Sequence, residues 1–235
     1  MPTRQTAPMA LDLGGRSVPM TVRRSHRARR IHLRIDTVDA AIELILPRWA
    51  GLAQGLDFAR VNRQWLMQRL ADLPERTPFA DGATLPVHGE MLTIRHDRAR
   101  RGPAERIGEL LAVGGDHAHL PRRVRDWLKA EARRGFAESA FALAQRIGRK
   151  PGLIRLTDPR TRWGSCSPDG SIALSWRLVL APPEVARYVI AHEVAHLAEL
   201  NHGRRFWQIV AELVGDHAEA RAWLRRNGAR LLRYG

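Results

Sequence analysis

The chain has 235 residues, 44% of them hydrophobic, enough to bury the core of one full domain, alone or with a smaller companion. Its single cysteine, Cys166, excludes an intrachain disulfide and a Cys-rich metal cluster, and fits a reducing compartment. Lysine and arginine number 39 against 24 acidic residues, a net charge of +15, but only Lys129 and Lys150 are lysines. An arginine- and alanine-rich composition of this kind can come from coding bias, so the charge leaves an acidic, nucleotide or nucleic-acid partner open without arguing for one.

Residues 1–15 read as a tail without the apolar core of a signal peptide, and no later run approaches the ~18 apolar residues that cross a bilayer. The expected setting is cytoplasmic, with no membrane segment. Val18 to Arg24, Ile31 to Asp36 and Ile42 to Leu46 alternate apolar and polar residues, which predicts three short antiparallel strands. Leu52, Leu56, Phe58, Val61, Trp65, Leu66 and Leu70 recur at helical spacing, predicting one amphipathic helix from Leu52 to Leu73, closed by Pro74. Pro78 to Gly115 is broken by glycines into further strands and hairpins, with His88, His96, His117 and His119 in or near the turns. The pair in D-H-A-H could bind a metal but reads better as loop. Pro121 opens a helix to about Ile147, with Val124, Trp127, Leu128, Phe136, Phe141 and Leu143 facing inward. Leu153 to Leu156, Thr161 to Cys166 and Ser171 to Trp176 predict a second set of strands, and Pro182-Pro183 begins another helix. Two more helical stretches follow, Arg204 to Val214 and His217 to Leu232.

The stretch A-H-E-V-A-H-L-A-E-L-N-H, from Ala191 to His202, specifies a chemistry. Four residues separate His192 from His196, so a helix projects both imidazoles from one face, close enough to share a metal ion. Glu193 sits on the flank, placed to take a proton from a metal-bound water. A catalytic zinc wants three protein ligands and one open position. His202 is the first candidate for the third, provided the helix stops before it; continued, the helix would carry His202 about 9 Å beyond His196 along its axis. Asn201 and Gly203 tolerate the left-handed conformation that turns a chain back. Glu199 is the rival, but two helical turns, roughly 10 Å, separate it from His192. Apolar residues surround this helix, so two histidines and a glutamate within it need partners, which a metal supplies.

T-R-W-G-S-C-S (161–167), G-S-I-A-L-S-W-R-L (170–178), Y-V-I-A-H-E-V-A-H-L (188–197) and N-H-G-R-R-F-W (201–207) resemble the successive motifs of the YgjP-type zinc metallopeptidases. These belong to the wider zincin group and are similar to SprT-like proteins. The likeness runs from about residue 20 to the C-terminus. It implies His192, His196 and His202 as zinc ligands and Glu193 as the base, agreeing with the spacing. Ser175, where Asn often precedes the Trp, and His217, where Tyr is common, depart from the pattern. The second departure puts in doubt a transition-state role near position 217.

The expected fold is α+β: a zincin-like catalytic region with an HExxH active-site helix, plus an N-terminal β-rich region. The division is a tail (1–15), an N-terminal β-rich region with one helix (16–118) and a zincin-like metallohydrolase region (119–235). The expected function is a Zn2+-dependent hydrolase, a metallopeptidase acting on a peptide or protein through a zinc-bound water, with Glu193 as general base. By resemblance to zincins, Trp163 to Cys166 is the candidate strand edge for substrate, though Trp163 and Cys166 read equally well as core. Arg162, Tyr188 and His217 are the candidates for stabilising an oxyanion, with nothing in the sequence to choose among them. Cys166 lacks a neighbouring base and is a poor nucleophile. Two rivals stand beside this reading. One is hydrolysis of a nucleotide phosphoanhydride clamped by Arg160, Arg162, Arg204 and Arg205; the other is a basic, non-catalytic module with a structural zinc, disfavoured because such sites are usually closed and rich in cysteine.

Overall fold

Alternation of apolar and polar residues builds the first sheet. In the computed structural model, which describes residues 9–235, its strands are β1 (Met9–Asp12), β2 (Ser17–Arg24), β3 (His32–Asp36) and β4 (Ala41–Leu46), in spatial order β1-β2-β4-β3. Val18, Met20 and Val22 of β2 and Ile42, Leu44 and Leu46 of β4 all point to one buried face, the period-2 pattern of a half-covered sheet. Two findings differ from expectation. Met9–Asp12 is a strand rather than tail, while residues 1–8 lie outside the described residues. β2 and β4 run parallel, paired from Met20↔Ile42 to Arg24↔Leu46, and β3 is antiparallel on the far side of β4.

The helix expected over 52–73 is two, α1 (Leu52–Val61) and α2 (Arg63–Ala71), parted at Asn62. Asn62 donates its side-chain amide to the Phe58 carbonyl, the local bond by which asparagine competes with helix continuation. α1 lies close against the sheet at Gly55, where a Cβ would come within 2.6 Å of Leu46. These elements make one compact unit, up to Glu75.

The second unit spans Arg76–Gly235. It opens with β5 (Thr84–Val87), β6 (Glu90–Asp97), β7 (Glu105–Ile107) and β8 (Leu110–Gly114), in order β5-β6-β8-β7, with β6 and β8 parallel. The expected change of region lay at 118/119, whereas the compact units meet at Glu75/Arg76. The reason is a shared core: Leu92, Ile94, Leu111 and Val113 of this sheet belong to the same buried cluster as Val124, Leu128 and Val189.

The long helix α3 (Leu120–Arg146) buries Leu120, Val124, Leu128, Ala132, Phe136 and Ala140, a ridge at strict i+4 spacing. Phe141, expected inside, is one residue off that ridge, about 100° round the helix, and is 48% exposed. His117 and His119 form a 3-10 turn capped by Asp116, whose carboxylate accepts from the Ala118 amide. β9 (Ile154–Thr157), β10 (Gly164–Cys166) and β11 (Ile172–Ser175) form a sheet in order β10-β11-β9, with β10 antiparallel to β11 and at the edge. α4 (Pro183–Ala195), α5 (Arg204–Val214) and α6 (Ala218–Leu231) complete the chain. Beneath them Arg177, 4% exposed, pairs with Asp158 and donates to the carbonyls of Leu231 and Tyr234, so its buried charge is fully partnered. Among the described residues no helix is long and apolar enough to cross a membrane.

Candidate metal centre and cleft

α4 starts where its sequence directs, with Pro182 at the cap and Pro183 in the first turn, where a missing amide costs nothing. It is buried on nearly all sides, so the polar residues it carries are held within core packing. The helix ends at Ala195, and His196 is its C-cap. Leu197 and Ala198 bond back to Val194 and Ala195 in tight turns, and the chain then reverses to bring His202 over the end of α4. The reversal does not use left-handed residues at 201 and 203: Gly203 has φ −79° and Asn201 no positive φ. The helix simply stops six residues before the expected bend.

The result joins three rings. His192, His196 and His202 each offer one nitrogen, all within 4.8 Å of one another, and the Nε2 atoms of His192 and His202 stand 3.0 Å apart. Two facing lone pairs at that distance need a proton or a cation between them. His196 Nδ1 lies 3.1 Å from the Glu199 carbonyl, which holds the proton on Nδ1 and turns Nε2 inward as a donor to a metal. Burial, with the mutual repulsion of the rings, holds His192 down to about 4, and burial lowers His196 as well, so both are neutral and free to ligate near pH 7. The donor set therefore fits one metal ion with nitrogen ligands. Glu199, the expected rival, contributes its carbonyl to His196 and is outside the cluster; among the described residues no other three-residue group of this kind occurs, and His117 and His119 are not in one.

Phe206 on α5 is a partner that sequence reasoning missed. Fully buried, it packs against all three rings, at centroid distances of 4.9, 4.6 and 4.6 Å from His192, His196 and His202. Its place four residues after His202, on a strongly one-sided apolar helix, was the available signal. Trp207 beside it stacks on His217, which stacks in turn on Tyr188.

Glu193 lies against the edge strand β10. It is 5% exposed, and burial raises its carboxyl to about 7 against the opposing pull of Arg162. Gly164 makes room for it: a Cβ there would meet Oε1 of Glu193 at 2.5 Å, with Cγ and Cδ nearly as close. Gly164→Ala must therefore push aside the buried Glu193 side chain from its carboxyl back to Cγ. For the general-base role proposed below, a misplacement of about 1 Å should lower catalysis roughly 10- to 100-fold. Bound metal should stay near wild type and stability should fall by about 1–3 kcal/mol, the cost of overpacking a buried site; metal analysis and a melting curve by circular dichroism check both.

A cleft of about 470 Å³ opens beside His192 and Glu193, with Arg162, Trp163 and Gly164 on one wall, Tyr188 and Val189 on α4, and Arg221, Leu224 and Arg225 on α6. Of the three oxyanion candidates, Arg162 and Tyr188 line this cleft, while His217 lines a neighbouring recess. Arg204 and Arg205 lie at the exposed start of α5 and do not line the cleft. Trp163 both faces the cleft and packs on the core. Burial, aided by Glu193 and Asp169, raises the Cys166 thiol to about 11, which disfavours the nucleophilic thiolate. A second recess of about 550 Å³, at the far end of β10, includes Ser167, His196, Arg149 and Lys150.

Comparison with curated proteins finds no match. Among solved structures, the chain is similar to the metallopeptidase zymogen abylysin of Pyrococcus abyssi, at 21% identity and a TM-score of 0.36, over 42% of this chain and 97% of that one. It is also similar to the metallopeptidase zymogen jannalysin of Methanocaldococcus jannaschii, at 16% identity and a TM-score of 0.35, over 39% of this chain and 94% of that one. The family described as "YgjP-like, metallopeptidase domain" matches residues 29–227, most of the sequence, and the chain belongs to that family.

Proposed function

We propose that the protein is a zinc metallopeptidase of the HExxH, zincin-like type, with His192, His196 and His202 as ligands and Glu193 as general base. The observation that carries this reading is the meeting of three imidazole nitrogens at the end of α4 with a buried carboxyl group on the residue after His192. When bound, zinc supplies a charge that acidifies water and polarises a carbonyl. Glu193 accepts a proton from the attacking water and passes it to the leaving amine. Burial gives it the proton affinity to do both. The exposed edge of β10 offers backbone amides and carbonyls to an extended peptide, and Arg162 and Tyr188 lie on the cleft wall as donors to a developing oxyanion.

The catalytic function is assigned to residues 119–235, with the sheet of 84–114 as support within the same compact unit. A peptide or protein substrate is favoured by the metallopeptidase family match and the exposed β10 edge; of the arginines expected to clamp a nucleotide, Arg204 and Arg205 are not on the cleft, while Arg162 is. A structural zinc is disfavoured by three histidines beside an acid, a set that leaves a ligand position open. The lone, unactivated thiol supports a reducing, cytoplasmic setting. The test is digestion of an unfolded protein substrate by the purified chain. Cleavage should cease on chelation and return on addition of about one equivalent of zinc per chain, and cleavage that persists in the metal-free protein would overturn the reading.

A further inference from the structure

The cleft beside Glu193 carries a charge pattern that peptide hydrolysis alone does not require. Three arginines, Arg162, Arg221 and Arg225, all solvent-exposed, are among its lining residues, against one acidic residue, Glu193 itself. Other arginines on α6 and on α3 do have carboxylate partners: Arg226, the next residue after Arg225, pairs with Glu219, Arg122 with Asp126 and Arg134 with Glu131. Among the described residues no ion pair or side-chain hydrogen bond engages Arg162, Arg221 or Arg225. Like charges gathered in one recess repel, and an anion between them relieves that repulsion.

The arrangement is prepared for such an anion. Arg221 and Arg225 are four residues apart on α6, on one face and a turn from each other, while Arg162 approaches from the opposite wall, just before β10. Arg221 also lies over the Trp207 ring, 5.2 Å from its centroid, which reduces the freedom it loses on binding. Guanidinium forks match the paired oxygens of a carboxylate as they do those of a phosphate. Between them the lining is apolar, from Trp163, Val189 and Leu224, suited to the methylenes of an acidic side chain. A nucleic-acid strand would call instead for charges tracking a long groove with bases stacked along it.

We propose that this cleft is a carboxylate subsite, so that the protein selects peptides bearing glutamate or aspartate next to the bond it cleaves. That the carboxylate arrives on a peptide rests on the metallopeptidase reading above. The contact itself does not depend on turnover. Arg162 adjoins the reacting groups, so Arg221 and Arg225 are the informative positions.

The test uses the full-length, zinc-loaded chain carrying Glu193→Gln, which removes turnover, and follows tryptophan fluorescence on titration with pentapeptides blocked at both ends. The peptides differ only in Glu or Gln at one internal position, and a third has Gln there but a free C-terminal carboxylate. We expect the Glu peptide to bind about tenfold or more tighter than the Gln peptide, a ratio falling to about threefold or less in Arg221→Gln/Arg225→Gln. Arg221→Lys/Arg225→Lys, which keeps the charge, should retain part of it, and a melting curve of each variant verifies the fold. A gain shown only by the free C-terminus would assign the same subsite to a terminal carboxylate and support the contact in that form. Equal affinity for all three peptides, or tight binding confined to a single-stranded oligonucleotide, would overturn the proposal. Selective binding by a chain whose wild type cleaves no peptide would retain the subsite and remove the peptidase reading; cleavage indifferent to Glu or Gln would do the reverse.

Discussion

Glu193→Gln should leave zinc bound and lower peptide hydrolysis by a factor of roughly 10² to 10⁴, the usual worth of a positioned general base. Glutamine keeps the length and hydrogen-bonding capacity of the residue but cannot take the proton of the attacking water. Its neutral amide also suits a site whose burial already disfavours charge, as the raised pKa of Glu193 indicates, so the fold should tolerate it. Metal content and turnover measured on the same preparation separate the outcomes. Loss of zinc would make Glu193 a ligand or a structural residue, and unchanged turnover with zinc in place would mean that another group activates the water.

The second large effect belongs to the histidines. His192→Ala, His196→Ala and His202→Ala should each weaken zinc retention by more than about 10²-fold, beyond the 10- to 100-fold typical of losing an outer-shell partner. Glu199→Ala should leave retention nearly unchanged, because Glu199 meets His196 through its backbone carbonyl, which alanine retains. Competition with a chromophoric chelator gives the affinities. Full retention in the His192→Ala/His196→Ala double variant would remove the site, and a strong loss in Glu199→Ala with none in His202→Ala would make the carboxylate the ligand.

Local patterns were legible in the sequence where contacts are local. The four-residue spacing of His192 and His196, the proline start of α4 and the alternation along β2 and β4 each depend on neighbours within a few residues. The convergence of His202 on His192 was legible too, because axial rise alone required the helix to stop. Where it stops was not: Ala195, and not Asn201, ends α4, and no local stop signal such as glycine or proline marks that position. The parallel pairing of β2 with β4 was missed because alternation identifies a buried face and says nothing of a strand's neighbour or direction. Phe141 was misplaced because hydrophobicity was read without the i+4 ridge that decides which face of α3 is buried. Arg221 and Arg225 carry no motif, and Gly164 lies in one that names no role for it; their bearing on Glu193 and the cleft arises only when α6 and β10 flank the same helix.

The buried bonds of Arg177 bear on how the cleft behaves when a ligand arrives. Asp158 leads into the segment that carries Arg162 and Trp163, and Leu231 and Tyr234 close the helix that carries Arg221 and Arg225. One guanidinium thus acts as a strut between the two walls. Its removal would leave two buried carbonyls without their donor, at a cost on the order of 1–3 kcal/mol, while the half-exposed Asp158 would turn to water. With the strut in place the aperture is set before any substrate enters, so recognition proceeds by fit to a standing gap, with little of the ordering penalty that a closing jaw would exact.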